Sequence, residues 1–296
     1  MSIISGLDGY SPDGRFTNGL VWSDHISAEI ASDFTIKRLQ KRRHLDDTDI
    51  ADAIIAQEKR IMHEIRNDYT LDNDQFVNYR GKVWIRSYCE GGLSSHDYGW
   101  QPSTNPTRFM TRIIVATLAD MRKKLLGYDK THQISYEQKA EALIIEWSGA
   151  NDLVTVNANP SIEEADKSIA ARVENVKKLI ASGYRNFMLF NLPDLSLTPR
   201  YQAQSKAEQD NAQRCTNYFN TELQTACETL SRDYPHCSVE TFDVNSNFKT
   251  IYQNPSKYFF DEDKLKTPYI YSPDFVKPSK GISASSGYMF YDIANT

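Results

Sequence analysis

The chain has 296 residues, 40% hydrophobic and 25% charged, with 34 Lys and Arg against 39 Asp and Glu. That is enough chain for one large α/β domain or two small ones. A net charge of −5 offers no concentrated positive surface for a nucleic acid, and no stretch reaches the ~20 apolar residues of a membrane-spanning helix.

The first residues, MSIISGLDGYSPDGR, have neither a basic start nor a sustained apolar run and do not read as a signal peptide. After the turn-rich SPDGRFTNG, residues 21–36 read as a helix. Lys41-Arg42-Arg43-His44, followed at once by Asp46 and Asp47, reads as a solvated helix face. Residues 46–66 predict a second, strongly charged helix, with Ile50, Ala53, Ile54, Ala56, Ile61 and Ile65 loosely periodic. Val83-Trp84-Ile85 predicts a short strand ahead of Cys89-Glu90-Gly91-Gly92. Residues 108–126 are helical in pattern, with Ile113, Ile114, Leu118, Met121 and Leu125 on one side. The next strand, 142–147, runs into Gly149-Ala150-Asn151-Asp152.

Ser161 and Glu164 then make a capping box for a helix with the stripe Ile162, Ala165, Ile169, Val173, Val176 and Ile180, which Gly183 stops. A strand over 187–190 leads to Asn191-Leu192-Pro193-Asp194. Ser205 and Glu208 open a long helix with the stripe Ala212, Cys215, Phe219, Leu223, Ala226 and Leu230. The last strand, 237–242, ends at Asp243. Residues 250–291, rich in Pro, Tyr and Phe, predict an irregular excursion over the surface.

Strand and helix alternate from 83 to 243 at the spacing of βαβ crossovers, which implies a parallel sheet covered on both faces. With no repeat or linker in view, residues 1–296 read as one domain. The four cysteines, 89, 215, 227 and 237, lack metal-site or disulfide spacing and suit a reducing compartment. No metal or cofactor is implied. Open α/β sheets bind ligands at the carboxyl ends of their strands, although Gly, Asn and Asp are also ordinary turn residues. The residues alone leave Gly149-Ala150-Asn151-Asp152 readable either way.

Taken as an ordered set, GRFTNGLVWSDHI, Gly91-Gly92, Gly149-Ala150-Asn151-Asp152 and Asn191-Leu192-Pro193-Asp194 resemble the SGNH, or GDSL-type, ester hydrolases over nearly the whole chain. The resemblance implies a flavodoxin-like three-layer α/β/α fold. It implies that Asn151 and the backbone N–H of Gly92 donate to an oxyanion, Gly91 being the other choice. Gly149 and Asp152 support that loop. Asp194 and Ser196 read as caps after Pro193. Near the end, Gly287-Tyr288-Met289-Phe290-Tyr291-Asp292 resembles the approach to the family's last block, so Asp292 takes the place of the triad Asp. The substrate class is an acyl ester of a lipid, a small alcohol or an O-acetylated sugar, and segment 250–291 could line an acyl pocket.

Two expected groups are missing. No serine stands in a GDS motif: Ser2, Ser5 and Ser11 precede GRFTNG without that context. Asn295 occupies the place of the family's histidine and has no basic nitrogen to take a proton. Of the histidines at 25, 44, 63, 96, 132 and 236, only His96 lies near the predicted mouth, and it reads as a loop residue. The expectation is therefore an SGNH fold without its first strand, truncated at both ends and inactive as given. The alternative is a non-catalytic protein that holds a ligand or a host protein in the hydrolase cleft. Similar proteins of intracellular bacterial pathogens make export without a signal peptide, into a host cell, an option beside a cytoplasmic location.

Overall fold

The computed structural model describes residues 22–46, separate positions between 49 and 63, and residues 69–72, 76–79, 82–157, 159–268 and 287–290. The chain divides into two compact units, residues 8–88 and residues 1–7 with 89–296.

In the first unit, α1 (Trp22–Arg43) ends on Lys41-Arg42-Arg43, where cations complement the helix dipole. Lys41 and Arg42 are exposed, and Leu39 packs with Ile50, Ala53 and Ile61 in a small core flanked by Ile36 and Leu45. Of the helix predicted over 46–66, the described helical residues are 49, 50, 52, 53, 59–61 and 63. The unit closes with β1 (Tyr69–Asp72), β2 (Phe76–Tyr79) and β3 (Lys82–Arg86). These form an antiparallel sheet in the order β1-β2-β3. The strand at Val83-Trp84-Ile85 is thus present, but it does not start the parallel sheet. Tyr79 pairs with Lys82, leaving only two residues between them. That spacing closes a hairpin, whereas a parallel crossover needs a dozen or more residues.

The second unit carries α2 (Pro106–Ile114), α3 (Leu118–Thr131), α4 (Tyr136–Glu141), β4 (Leu143–Glu146), α5 (Ala150–Val154), α6 (Ile162–Ala181), β5 (Asn186–Phe190), α7 (Pro199–Gln202), α8 (Lys206–Asp233), β6 (Ser238–Phe242) and α9 (Val244–Gln253). Single 3-10 turns follow at Pro255–Tyr258 and Glu262–Lys264. β4, β5 and β6 form a parallel sheet in that order, with Leu143 level with Asn186 and Phe190 level with Phe242. Helix α8 packs on both α6 and β6, and α3 packs on α6. This is the α/β architecture the alternating pattern predicts.

The stripes of α6 and α8 supply its core: Ala165, Ile169, Val176 and Ile180 face Ala212, Cys215, Phe219, Leu223 and Leu230, all buried. Burial pushes the Cys215 and Cys227 thiols up, as expected of packing residues. Ser205 and Glu208 form a reciprocal box, but at α6 only Ser161 caps, by accepting the Glu164 N–H.

The helix predicted over 108–126 is two helices. Val115 turns extended (φ −67°, ψ 138°), and Thr117 starts α3 with a reciprocal capping box to Asp120. The freed backbone is reused, since the Ser94 N–H donates to Ala116 O (3.2 Å) and the Leu118 N–H to Ser94 O (3.0 Å). The break therefore ties the loop after Gly91-Gly92 to the start of α3.

Candidate functional site

β4 delivers its last residue, Glu146, to the carboxyl edge of the sheet. Gly149 follows with φ +116°, as the N-cap of α5. A Cβ there would stand 2.5 Å from Phe219 Cζ and 2.8 Å from its Cε2, so the position needs glycine both for its backbone and for the approach of α8. Asn151 sits on the first turn of α5. Its Oδ1 accepts from the Thr155 hydroxyl (2.7 Å), and its Nδ2 donates to Leu93 O (2.9 Å). The amide is thereby oriented, and it retains a second Nδ2 hydrogen.

Asp152 is wholly buried. Its Oδ2 accepts the Ser95 N–H (2.8 Å) and its Oδ1 the His96 N–H (2.9 Å), binding a loop 57 and 56 residues upstream. Burial pushes its carboxyl up to about 6, against those same hydrogen bonds, which favour the ionised form.

The upstream loop turns at Glu90–Leu93, with the Leu93 N–H on Glu90 O at 3.3 Å. Gly92 has φ +82°, and a Cβ there would lie 3.6 Å from Val115 Cγ1, an ordinary contact. Conformation, not space, requires glycine here. Gly91 is not among the left-handed residues. His96 is half-buried, its ring edge-on to Tyr98 at 4.8 Å, and Gln101 lies 3.5 Å from its Nε2. His132 and His236 are exposed, and described His44 and His63 belong to the other unit.

Beneath both loops runs a polar chain that a reading of apolar stripes passes over. Ser95 Oγ and Ser148 Oγ are 2.7 Å apart, and Ser148 donates to Glu146 Oε1 at 2.5 Å. Glu146 is paired with Arg172, whose Nε lies 3.0 Å away. The guanidinium is 0% exposed, although α6 carries it between the apolar Ile169 and Val173. It donates to the carbonyls of Ser148 (3.1 Å), Glu146 (3.3 Å) and Phe190 (3.0 Å), and lies over the Phe219 ring. Arg172 thus clamps the ends of β4 and β5. The signal in the sequence was a Glu closing an apolar strand and an Arg inside an apolar stripe.

At the end of β5, Asn191 donates to Asp243 Oδ1 (2.9 Å) and accepts from the Asn245 N–H (2.9 Å), fixing the start of α9. Trp147 Nε1 donates to Asn191 O at 3.1 Å. Asp194 accepts from the backbone and hydroxyl of Ser196 and pairs with Lys249 at 3.2 Å. Burial alone would raise its carboxyl, but bonds from Ser196, Lys249 and Gln213 hold it below its ordinary value. Phe290, buried, packs on Phe248 of α9 at 6.0 Å, and Gly287 O accepts the Asp261 N–H at 2.8 Å. Ser2, Ser5, Ser11, Asp292 and Asn295 lie outside the described residues, as do 269–286 of the aromatic-rich segment.

Among the described residues no His, Cys, Asp and Glu cluster with metal-site geometry, and no helix is long and apolar enough to cross a membrane. The structure brings Gly92, Asn151, Gly149 and Asp152 to one place through the Asn151–Leu93 and Asp152–Ser95 bonds.

Comparison with known proteins gives a consistent result. The profile of the GDSL-like lipase/acylhydrolase family matches residues 2–280. The chain is 23% identical over 303 residues to the anther-specific proline-rich protein APG of Brassica napus, a match spanning 94% of this chain and 58% of that protein. It is 27% identical over 222 residues to the secreted effector protein SseJ of Salmonella typhimurium, covering 74% of this chain and 47% of SseJ. To a phosphatidylcholine-sterol acyltransferase of Aeromonas hydrophila it is 26% identical over 134 residues, 45% of this chain and 38% of the enzyme. The chain thus spans about half the length of these relatives or less.

Proposed function

The chain belongs to the GDSL-like lipase/acylhydrolase family, whose SGNH fold is a three-layer α/β/α sandwich, and we propose from that premise that the loops meeting at Asn151 form the oxyanion side of an acyl-ester hydrolase site. The observation that carries this reading is the oriented Asn151 amide, tied to the carbonyl next to Gly92. Attack on an ester carbonyl produces a tetrahedral oxyanion. Fixed donors aimed at it stabilise the transition state more than the ground state. The free Nδ2 hydrogen of Asn151 and the Gly92 N–H fill that role, with Gly149 and Asp152 holding the two loops in register. Asp292 takes the part of the carboxylate that orients a histidine.

A serine in a GDS context and a histidine three residues after Asp292 are absent from these 296 residues. We therefore read this chain alone as catalytically silent, because losing the nucleophile or base of such a triad costs about a millionfold in turnover. The substrate class is a lipid or other acyl ester, in keeping with the lipase/acylhydrolase family and with the phosphatidylcholine-sterol acyltransferase relative. The likeness to a secreted effector supports export, and delivery into a host cell, as its fate.

The test is hydrolysis of p-nitrophenyl esters of short and long acyl chains. It compares residues 1–296 with a form extended upstream and carrying Asn295→His. Activity is expected only in the extended form, falling about 100-fold or more with Asn151→Ala. Turnover by residues 1–296 that survives combined Ser2→Ala, Ser5→Ala and Ser11→Ala changes would overturn the silent reading. A folded but inactive extended form would leave the second reading, a ligand- or host-protein-binding relative. Asn295 at the histidine position favours that reading.

A further inference from the structure

Under the loops that carry Gly92 and Asn151 lies a serine with no part in the proposed chemistry. Ser148 is buried and directly precedes Gly149, the N-cap of α5. A serine hydroxyl has one hydrogen to give and two lone pairs to accept with. Ser148 gives its hydrogen to Glu146 Oε1 at 2.5 Å. Toward Ser95 Oγ, 2.7 Å away, it can then only accept, so Ser95 donates. The chain therefore has one direction, from Ser95 through Ser148 to Glu146, and it ends on Arg172 Nε, 3.0 Å from the Glu146 carboxyl. All four residues are buried. A hydroxyl that loses its partner in such surroundings bears its desolvation cost uncompensated, so the chain tolerates little displacement.

The outer end of the chain is the loop at 90–97. Ser95 follows Gly92 by three residues, and between them Leu93 O holds the Asn151 amide at 2.9 Å. The Ser95 and His96 N–H groups are held by Asp152. Those ties all land on α5, a helix of five residues. Among the described residues, the Ser95–Ser148 bond is the one tie between the two loops that lands ahead of Gly149. Through Glu146 it reaches the guanidinium that clamps the ends of β4 and β5. Oxyanion donors work by being fixed before the charge develops, and a misplacement of about 1 Å can cost on the order of 100-fold in rate.

We propose that Ser148 is a positioning residue: by accepting from Ser95 and donating to Glu146, it ties the loop bearing the Gly92 N–H to the buried Glu146–Arg172 pair and so keeps that N–H in register with the Asn151 amide. This deepens the ester-hydrolase reading and rests on it for its catalytic meaning, so the tether is also measured without turnover.

Amide hydrogen exchange in residues 1–296 is followed by NMR for Ser148→Ala and Ser95→Ala. Ser95→Ala leaves the Ser148–Glu146 bond in place and isolates the tie between the loops. In both variants the Ser95 and His96 amides are expected to exchange roughly tenfold faster. The Leu153 amide, bonded to Gly149 O at 3.3 Å, is expected to keep its wild-type rate. The same changes are placed in the extended Asn295→His form and read by hydrolysis of p-nitrophenyl esters. Each is expected to lower kcat about 5- to 10-fold with KM unchanged, as for a contact realised only in the transition state. The double variant is expected to lose no more than the larger single loss. Tyr184→Phe removes another buried hydroxyl, bonded to Asp129 Oδ2 (2.9 Å) just ahead of β5 at the opposite end of the sheet, and is expected to keep the parent kcat. Wild-type exchange at Ser95 and His96 in both alanine variants overturns the proposal, as do losses that multiply in the double variant or an equal loss of kcat in Tyr184→Phe. Faster exchange beside a folded extended form that hydrolyses no ester sustains the tether and removes the hydrolase reading.

Discussion

The loop leaving β4, residues 146–152, and the loop at 90–97 meet at Asn151 and Asp152, yet different forces hold them. The first is locked by the core: Gly149 lies against Phe219, and Arg172 fills the space behind Glu146. The second hangs from the first by polar bonds, through Ser95 and His96 to Asp152, Leu93 to Asn151, and Ser95 to Ser148. A packed loop tolerates little change of shape, whereas a hydrogen-bonded one responds to charge and pH.

The sharpest way to break the packed loop is Arg172→Met. Glu146 would be left in the interior with its main partner gone, and three carbonyls would lose a donor. The expected cost is about 3–5 kcal/mol, read as a fall in the urea midpoint. A variant that unfolds with the wild type would show that the clamp does not hold the strand ends. Next in size is the contrast between the glycines. Gly149→Ala must displace the Phe219 ring and adopt φ +116°, at roughly 3 kcal/mol. Gly92→Ala meets no clash and costs about 1–2 kcal/mol of backbone strain. Adding Phe219→Leu should recover part of the first loss and none of the second. Equal costs for the two alanines would erase the distinction between the loops.

Asp152 tests the hydrogen-bonded loop through pH. Its folded carboxyl is pushed up to about 6 from 3.8, so between those values the folded protein binds more protons than the unfolded chain. Stability from this group therefore falls as pH rises from about 4 to about 6, by on the order of 2–3 kcal/mol, and stays low above that. Urea titrations at pH 4 to 7 should show this slope in the wild type and lose it in Asp152→Asn. The asparagine can accept only one of the two loop N–H groups, so its variant should also lose amide protection at Ser95 or His96. A parallel pH dependence in both proteins would mean that the carboxylate is not strained by burial.

Much of this arrangement was legible in the sequence, and what was not has physical causes. β4, β5 and β6 and the stripes of α6 and α8 were readable because their periods and stop signals agree. The break at Val115 escaped because Ile113, Ile114, Leu118 and Met121 continue one helical face through it. The Thr117-x-x-Asp120 box was the signal that could have found it. Val83-Trp84-Ile85 was visible as a strand, but local pattern does not name a strand's partners, and Tyr79 was the near one. Arg172 was hidden because a stripe is traced by its apolar members. Asp152 was visible beside Asn151, whereas the amides it binds, 57 and 56 residues away, leave no trace in spacing.

The smallest expected effect lies at the far end of the hydrogen-bonded loop and inverts the behaviour of Asp152. Thr117 accepts the Asp120 N–H (3.2 Å), and its own N–H and hydroxyl donate to the Asp120 carboxylate (3.0 and 2.8 Å). The Thr117 side chain, then its backbone, hold Asp120 below its ordinary 3.8. A depressed carboxyl contributes stability above the unfolded value and loses it as pH falls through the folded one. Thr117→Ala should therefore cost about 1 kcal/mol at neutral pH and progressively less on acidification below 3.8. Because the Ser94 N–H is bound to Ala116 O across this cap, hydrogen exchange should quicken at Ser94 and Leu118 while the Leu153 amide on Gly149 O stays protected. Faster exchange at Leu153 as well would mean that the two loops open as one unit, and that the core-held loop depends on its neighbour as much as the neighbour depends on it.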